Sequence, residues 1–509
     1  MRHALTPSVL IALALAFAGA RPSLAGPPID IDGVFGDWDG VAVLATDAAG
    51  DSSGELDVLA LRARSEGTVL SLKLDLRNPV NLSNGSTVNA TLKLVVTAPS
   101  GRTLTVDFRG RKAYYDGQSS SVVPWPNIGF ECLPTASSTS WEMRMDLSPI
   151  GVQVGQTVSM NFSTADSLAS AASYTLVDPV SDVTRRVIDR RPCTDLRVAS
   201  LNTEQTGFND ATRRPKLLRI VDAANADVYC FQEEYSGNTA NLISHLNSTD
   251  PLENGASWNV VRQTELFIAS HYPLIAVAMG DQHFGAVVLN PGREMLIITN
   301  HPKCCGYQGT SEDVKRITQA TDAINNLALF RAGQKGANLV AYKDVPVVVV
   351  GDWNLVGSTT PLDLWLAPNA PDMKRELVVN QIGDEASTWK SGDGLDFWPG
   401  ALDLFIHSRA TLFPRQVVGL HTSELNAGEL AALGLQAGDS DATDHRMIIA
   451  DLGLFPSAEM NGDGFVNGDD YDAFASYFES GDLAADLNQD GFVNGDDYDS
   501  FASAFEVGC

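Results

Sequence analysis

Between residues 27 and 180 apolar and polar positions alternate, and turn residues separate the runs. TVLSLKLDLRN, TLKLVVTAP and RTLTVDFRG are the clearest segments, and a period of two predicts strands with one buried face. Helical periodicity is scarce there, so the pattern predicts a β-sandwich of about 150 residues. SDVTRRVIDRRPC, residues 181–193, is charged, ends in Pro-Cys and reads as a linker. From 194 to 455 the pattern changes. LRVASLNTE reads as a strand, and RRPKLLRIVDAANADVYCFQEE as a helix followed by a strand. Further strand cores are REMLIITNH, VPVVVVGDWN, ALDLFIHS and HRMIIADLGLF. SEDVKRITQATDAINNLALFRAG and the PLDLW region are the helix candidates. Mixed strands and helices over this length predict a single α/β domain.

The start of the chain, MRHALTPSVLIALALAFAGARPSLA, combines a basic opening, a short apolar run and Ser23-Leu24-Ala25 as a small-x-small cleavage site. It predicts a secretory signal peptide over 1–25 and a secreted or cell-surface protein. The apolar run is too short for a permanent membrane span, and the sequence offers no other transmembrane candidate. Export leaves Cys132, Cys193, Cys230, Cys304, Cys305 and Cys509 in a compartment that permits disulfides. Sequence leaves their pairing open. Cys304 and Cys305, being adjacent, fit disulfide geometry poorly with each other. Cys509 could staple the C-terminus or stay free.

Charge narrows the reading further. The formal net charge is −28, which argues against broad electrostatic attraction to nucleic acid or anionic membrane. Residues 194–455 carry 31 acidic and 19 basic side chains, whereas 456–509 carry 13 acidic and no basic ones. The last segment is therefore a separate unit. Arg213, Arg214, Lys216 and Arg219 cluster on the first predicted helix of the α/β region. Such a cluster is either a solvated helix face or a contact for an anionic substrate.

The candidate chemistry lies where strands end. LRVASLN ends in Asn202, DVYCFQEE in Glu233 and Glu234, MLIITNH in Asn300 and His301, and VVVVGDWN in Asp352 and Asn354. ALDLFIH passes through Asp403 and reaches His407, and Thr443-Asp444-His445 precedes the last strand. A single acid or amide after a strand usually makes a turn. The set is different, because paired sheets can deliver several strand ends to one rim. Carboxylates and amides there can hold a hard divalent cation such as Mg²⁺. Two histidines with acid partners add proton transfer and phosphate stabilisation. This inventory suits metal-assisted attack of water on a phosphate ester.

The ordered motifs LNTE, DVYCFQEE, TNHPK, GDWN, LDLFIHS and TDHR resemble the endonuclease/exonuclease/phosphatase superfamily, which includes deoxyribonuclease-I-like nucleases and neutral sphingomyelinases. The resemblance covers 194–455 and implies a four-layer α/β sandwich. It implies Asn202, Glu233 and Asp444 at a Mg²⁺ or Mn²⁺ site, with Glu234 as the alternative to Glu233. His301 would contact the scissile phosphate or leaving group. Asp352 would orient or activate water, Asn354 would steady the transition state, and Asp403 would orient His445 as acid, base or phosphate stabiliser. Trp353 would point back into the sandwich. Ala401 and Leu402 stand where the family often has Arg-Ile, and HPKCCG replaces the commoner His-Leu.

The C-terminal EMNGDGFVNGDDYDAFASYFES and DLNQDGFVNGDDYDSFASAFEV repeat with a 27-residue offset. Oxygen ligands recur at calcium-loop spacing: Glu459, Asn461, Asp463, Asn467 and Asp470, then Asp486, Asn488, Asp490, Asn494 and Asp497. Gly464 and Gly491 supply the sharp turns, and one helix follows each loop. This duplicated loop–helix over 456–509 resembles a type I dockerin, which implies Ca²⁺-dependent folding and a cohesin partner. In the first segment, IDIDGVFGDWDGV and WEMRMDLSPIG resemble family 9 carbohydrate-binding-like sandwiches, which implies a possible carbohydrate ligand. The expected fold class is thus multidomain: an N-terminal β-sandwich, a central α/β four-layer sandwich and a C-terminal all-α calcium-loop pair. The expected function is a secreted metal-dependent phosphodiesterase, nuclease first. The alternatives are a phospholipid phosphodiesterase or phosphomonoesterase on the same scaffold, and a non-catalytic, cohesin-docked polysaccharide-associated binding protein.

Overall fold

The structure, a computed structural model, describes every residue except 1–28, 53–55, 84–91, 178–184, 368–371, 382, 384, 392–396, 462–465, 489 and 509. The expected signal peptide and Asp463 and Gly464 of the first acidic loop therefore lie outside the described residues.

The alternating N-terminal runs form two five-stranded antiparallel sheets. Val58–Glu66, Val69–Val80 and Ser138–Asp146 form the middle of one sheet; Thr157–Thr164, Leu92–Thr97 and Thr103–Asp107 form the middle of the other. Their inward positions, among them Leu72, Leu94, Val106, Met143 and Phe162, share one buried core, as the period of two requires.

The central region packs a seven-stranded sheet on a six-stranded one. The seven-stranded sheet contains two parallel pairs, one of them the short contact of Val379–Asn380 with Phe413–Leu420, and the six-stranded sheet contains one. Leu196–Asn202 runs parallel to Val228–Gln232, with Asn202 opposite Gln232. Met295–Asn300 runs parallel to Val347–Asp352, with Asn300 opposite Gly351. Parallel neighbours end at the same edge, which is why their polar C-terminal residues converge. Between the sheets lie Val198, Val228, Ile297, Val348, Val350 and Ile448, all almost completely buried. Gln232 ties the layers together, its side-chain amide donating to Ser200 Oγ at 3.1 Å and Thr299 Oγ1 at 2.8 Å. Helix Arg214–Ala224 covers the outer face of the first sheet through Leu217, Ile220 and Val221. Helices Ser311–Arg331 and Thr360–Leu366 cover the second through Ala323, Leu327, Phe330 and Trp365. The result is four layers, helix, sheet, sheet and helix. Trp353 is buried in the outer layer with its ring centroid 6.2 Å from that of Trp365.

The two units are not beads on a string. Trp398, from the α/β region, is buried in the core of the N-terminal sandwich. Its ring stands edge-on to Phe108, Trp125 and Phe130 at centroid distances of 6.2, 5.8 and 5.8 Å. Ser137 N donates to Gly357 O at 2.8 Å, and Arg144 pairs with Glu385 at 3.1 Å. A separate cluster of Ile29, Ile31, Trp38, Leu133, Val379 and Ala386 seals the joint. The described part of the expected linker is also packed: Ile188 is buried in the α/β unit and Arg185 pairs with Glu429.

The tail carries helices Gly468–Ser480 and Gly495–Val507. Phe474 and its repeat partner Phe501 stack with centroids 4.1 Å apart, so the duplication is read out as a shared aromatic core. Cys193 is disulfide-bonded, and its sulfur lies 3.5 Å from the Gly508 carbonyl oxygen, which places the end of the tail beside the start of the α/β unit. Cys132, Cys230, Cys304 and Cys305 are free. Among the described residues no helix is long and apolar enough to cross a membrane.

Candidate active site

The converging strand ends place all the expected catalytic and metal-site residues in one connected cluster. Asp352 is its hub and is 2% exposed. Its Oδ1 accepts from Asn354 N at 2.8 Å, and its Oδ2 accepts from the side-chain amides of Asn354 and Asn202, each at 3.1 Å. His301 Nε2 and His445 Nε2 both lie 3.6 Å from that same Oδ2. Local backbone makes this possible. A Cβ at Gly351 (φ +145°) would meet Asn300 O at 2.4 Å, so only glycine lets the two parallel strands close up immediately before Asp352. Asn354 itself adopts φ 46°, which turns its side chain back onto Asp352.

Glu233, rather than Glu234, joins the cluster. Glu233 Oε1 accepts from Asn202 Nδ2 at 3.0 Å and lies 3.5 Å from His301 Nε2. Its Oε2 accepts from Gln205 N at 3.0 Å, presented by a turn in which Glu204, Gln205 and Thr206 all have positive φ. Left-handed backbone at several adjacent non-glycine positions is strain that surrounding structure must hold in place. Glu234 points elsewhere: it is buried and accepts from Thr203 Oγ1 and Phe208 N, a structural role.

On the other side, His445 Nδ1 sits 2.7 Å from Asp403 Oδ2. Asp403 is paired across the sheet with Asp352, and its backbone N donates to Thr388 Oγ1 at 2.9 Å. Burial alone would lower the His445 pKa, but Asp403 and Asp352 outweigh it and push the imidazole up to about 10. His301 moves the same way: burial opposes its charged form, while Glu265, Asp352 and Glu233 together raise its pKa. Glu265 is the matching acid. Burial would raise its carboxyl, but contacts from His301 and Thr264 hold it down at about 2. At 3.7 Å the His301–Glu265 contact is an ion pair rather than a hydrogen bond. Asp444 is partly exposed, with Oδ2 accepting from Trp389 Nε1 at 2.8 Å and Oδ1 3.9 Å from His445 Nε2.

Donor chemistry here suits a hard cation. Carboxylate oxygens of Glu233 and Asp352 and a nitrogen of His301 lie within 4.8 Å of one another. Hard divalent ions prefer carboxylate and amide oxygens. Asn202 currently offers its NH₂ to both carboxylates, and a half-turn of that amide would offer its oxygen instead. Asp444 adjoins this group through His445 rather than belonging to it.

Sequence reasoning missed several members. Glu265 sits in a hairpin between Asn259–Gln263 and Leu266–Ser270, where nothing local marks it. Thr388 and Trp389 lie in an irregular stretch, bound to the site through an isolated bridge between Trp389 and His445. The basic cluster on the first helix does not face the site as free charge. Arg213 donates to Thr203 O, Glu204 O and Ala442 O, Arg219 pairs with Asp439, and Lys216 donates to Gly438 O. Its cations hold the chain's own turns.

The C-terminal loops show capping geometry at several expected calcium positions. Asn467 and Asn494 cap the two helices. Asp470 and Asp497 are completely buried, and their carboxylates accept backbone N–H groups from Met460, Asn461 and Asn467 and from Asn488 and Asn494. Asp486 accepts from Asp490 N and Gly491 N, so the second loop is drawn around its first position.

The cluster around Asp352 opens into a cavity of about 600 Å³, whose walls come from both units. No protein-family model matches the chain, and no curated protein matches it. Solved structures do. The catalytic domain of human nocturnin aligns at 16% identity over 51% of this chain and 94% of its own, with a TM-score of 0.33. Beta toxin from Staphylococcus aureus aligns at 16% identity over 50% and 99%, TM-score 0.34. A 3′–5′ exonuclease from Neisseria meningitidis aligns at 13% identity over 51% and 100%, TM-score 0.33.

Proposed function

We propose that the chain is a metal-dependent phosphoric ester hydrolase that cleaves phosphodiesters, nucleic-acid-type esters first. One observation carries the reading: two buried histidines flank a single buried carboxylate oxygen, Asp352 Oδ2, at 3.6 Å each, and each histidine has its own second acid. A binding site for a neutral ligand has no use for that arrangement.

In this reading Asp352 orients a water molecule and takes its proton as the water oxygen bonds to phosphorus. The bond from phosphorus to the leaving oxygen breaks, and His301, held protonated by Glu265, gives its proton to that oxygen. His445, held as imidazolium by Asp403, and the amide of Asn354 stabilise charge on the phosphoryl oxygens. Mg²⁺ or Mn²⁺ held by Glu233, Asn202 and Asp444 would supply Lewis-acid stabilisation of that charge.

The test is hydrolysis by the mature chain with Mg²⁺, Mn²⁺ or EDTA. Bis-p-nitrophenyl phosphate, plasmid DNA, RNA and sphingomyelin are offered, with His445→Ala as control. Metal-dependent cleavage that disappears in His445→Ala is expected. Absence of cleavage on every substrate by correctly folded protein would sink the reading.

The flanking segments extend it. The acidic loops favour Ca²⁺, a cohesin-type partner fits the dockerin-like repeat, and export fits the N-terminal segment. Calorimetric titration of the whole mature chain with Ca²⁺, against Asp486→Ala together with Asp490→Ala, tests the first. Carbohydrate binding by the N-terminal sandwich is tested by glycan-array binding of the same protein.

A further inference from the structure

The N-terminal sandwich contributes directly to the cavity in which the catalytic cluster lies: Ser83, Arg111, Thr135 and Trp141 line it together with Asp352 and His445. Arg111 is the one lysine or arginine lining that cavity among the described residues. It sits on the turn between strands Thr103–Asp107 and Lys112–Tyr115 at φ 48°, a conformation that a large side chain adopts at a cost. The turn is built to hold it. Asp107 accepts from Gly110 N at 2.8 Å, and a Cβ at Gly110 would meet that carboxyl group at 2.8 Å, so only glycine fits beneath the bond.

Arg111 stacks its guanidinium 4.1 Å from the centroid of Phe397, a residue of the α/β unit. Phe397 stands edge-on to Trp389 at 6.2 Å, and Trp389 Nε1 holds Asp444. A continuous chain of contacts therefore runs from the sandwich turn to the catalytic cluster. Stacking engages the face of the guanidinium and leaves its N–H edge available. Among the described residues the contact shown for that guanidinium is the Phe397 ring. An N–H edge beside aromatic walls suits a phosphate on a molecule that also carries a flat ring.

Size and charge favour a compact ligand over a duplex. About 600 Å³ is the scale of a site that encloses a nucleotide-sized molecule. Binding of duplex nucleic acid draws on many phosphate contacts to Lys and Arg, and this cavity offers one.

We infer that the β-sandwich is the specificity wall of the active site, and that Arg111, backed by Phe397, binds a second phosphate of a compact, nucleotide-like phosphodiester. This deepens the phosphodiesterase reading and rests on it. The test compares thymidine dinucleotides with and without a terminal phosphate at either end, together with supercoiled plasmid, in the whole mature chain with Mg²⁺. In the unaltered protein a terminal phosphate at one end is expected to raise kcat/KM at least tenfold, mostly through KM. That advantage is expected to vanish in Arg111→Gln and to be partly kept in Arg111→Lys, with plasmid the poorest substrate per bond. No phosphate advantage, an advantage that survives Arg111→Gln, or preference for plasmid overturns the inference. If bis-p-nitrophenyl phosphate is not hydrolysed either, the phosphodiesterase reading itself fails. The wall is then read by calorimetry: thymidine 3′,5′-bisphosphate should bind at least tenfold more weakly to Arg111→Gln, and equal affinity would overturn it. Thermal unfolding of both variants within about 3 °C of the parent excludes misfolding as the cause.

Discussion

His445 Nδ1 and Asp403 Oδ2 are 2.7 Å apart in a site where His445 is 4% and Asp403 1% exposed. This buried pair fixes the orientation of the ring, so Nε2 is turned toward Asp352. Asp403→Asn keeps the shape and removes the charge. It should lower kcat on bis-p-nitrophenyl phosphate by about 100-fold or more with little change in KM, because general-acid and electrostatic contributions are of that size. Steady-state kinetics on Asp403→Asn beside His445→Ala check this, and a loss under threefold would contradict it.

In the proposed reaction Glu265, 3.7 Å from His301 Nδ1, acts through that histidine rather than on the substrate. Glu265→Gln removes the acid that helps keep His301 protonated. The loss should depend on the leaving group: about tenfold for an alkyl phosphodiester that needs a proton, and much less for a p-nitrophenyl ester that does not. A merely structural role would slow both equally. The comparison of the two esters across pH 6–9 separates these outcomes.

His283 predicts how stability changes with pH. It is completely buried, its Nδ1 lies 3.2 Å from Asp281 O, its Nε2 has no hydrogen-bond partner among the described residues, and burial lowers its pKa to about 4. The unfolded chain takes up this proton near pH 6.5, the folded chain only near 4. Stability is therefore complete above about 6.5 and falls as the pH drops toward 4, by up to roughly 3 kcal/mol from this group. His283→Phe can keep the ring contact with Trp365 and remove the proton. The difference in denaturant unfolding between parent and variant should grow from pH 7 to pH 4, and a constant difference would refute it.

Trp398 holds the two units together from inside the sandwich core. Trp398→Ala should cost about 3–5 kcal/mol, since it leaves a large cavity among Phe108, Trp125 and Phe130. It should also loosen the cavity wall next to it, raising KM for substrates. Chemical denaturation and limited proteolysis of the whole chain check the first, and kinetics the second. Unchanged stability would mean that the joint is held elsewhere.

Much of this protein was readable from local pattern. Period-two alternation gave away the sandwich strands, and the apolar runs with polar ends gave away the central strands. The repeat of Phe474 at Phe501 announced a shared core in the tail. These are short-range properties: side-chain direction along a strand or helix follows from backbone geometry, and burial follows from direction. The candidate cluster was legible for a related reason. Asn202 and Asp352 end buried strands, Glu233 and His301 directly follow theirs, and parallel neighbours end at one edge.

What lies between elements was decided only in three dimensions. Glu265 reaches His301 from a hairpin tip, Trp389 reaches Asp444 from irregular chain, and the basic residues near 213–219 turn out to be spent on the chain's own carbonyls and acids. Phe397 and Trp398, adjacent in sequence, point to different tasks: one backs Arg111 in the cavity, the other fills the sandwich core. No period or spacing encodes such pairings, because they join residues from about ten to nearly three hundred positions apart through packing that exists only once the chain has folded. Sequence alone therefore determined the elements and the chemistry at their ends, and the tertiary structure decided that two units would enclose that chemistry in one cavity.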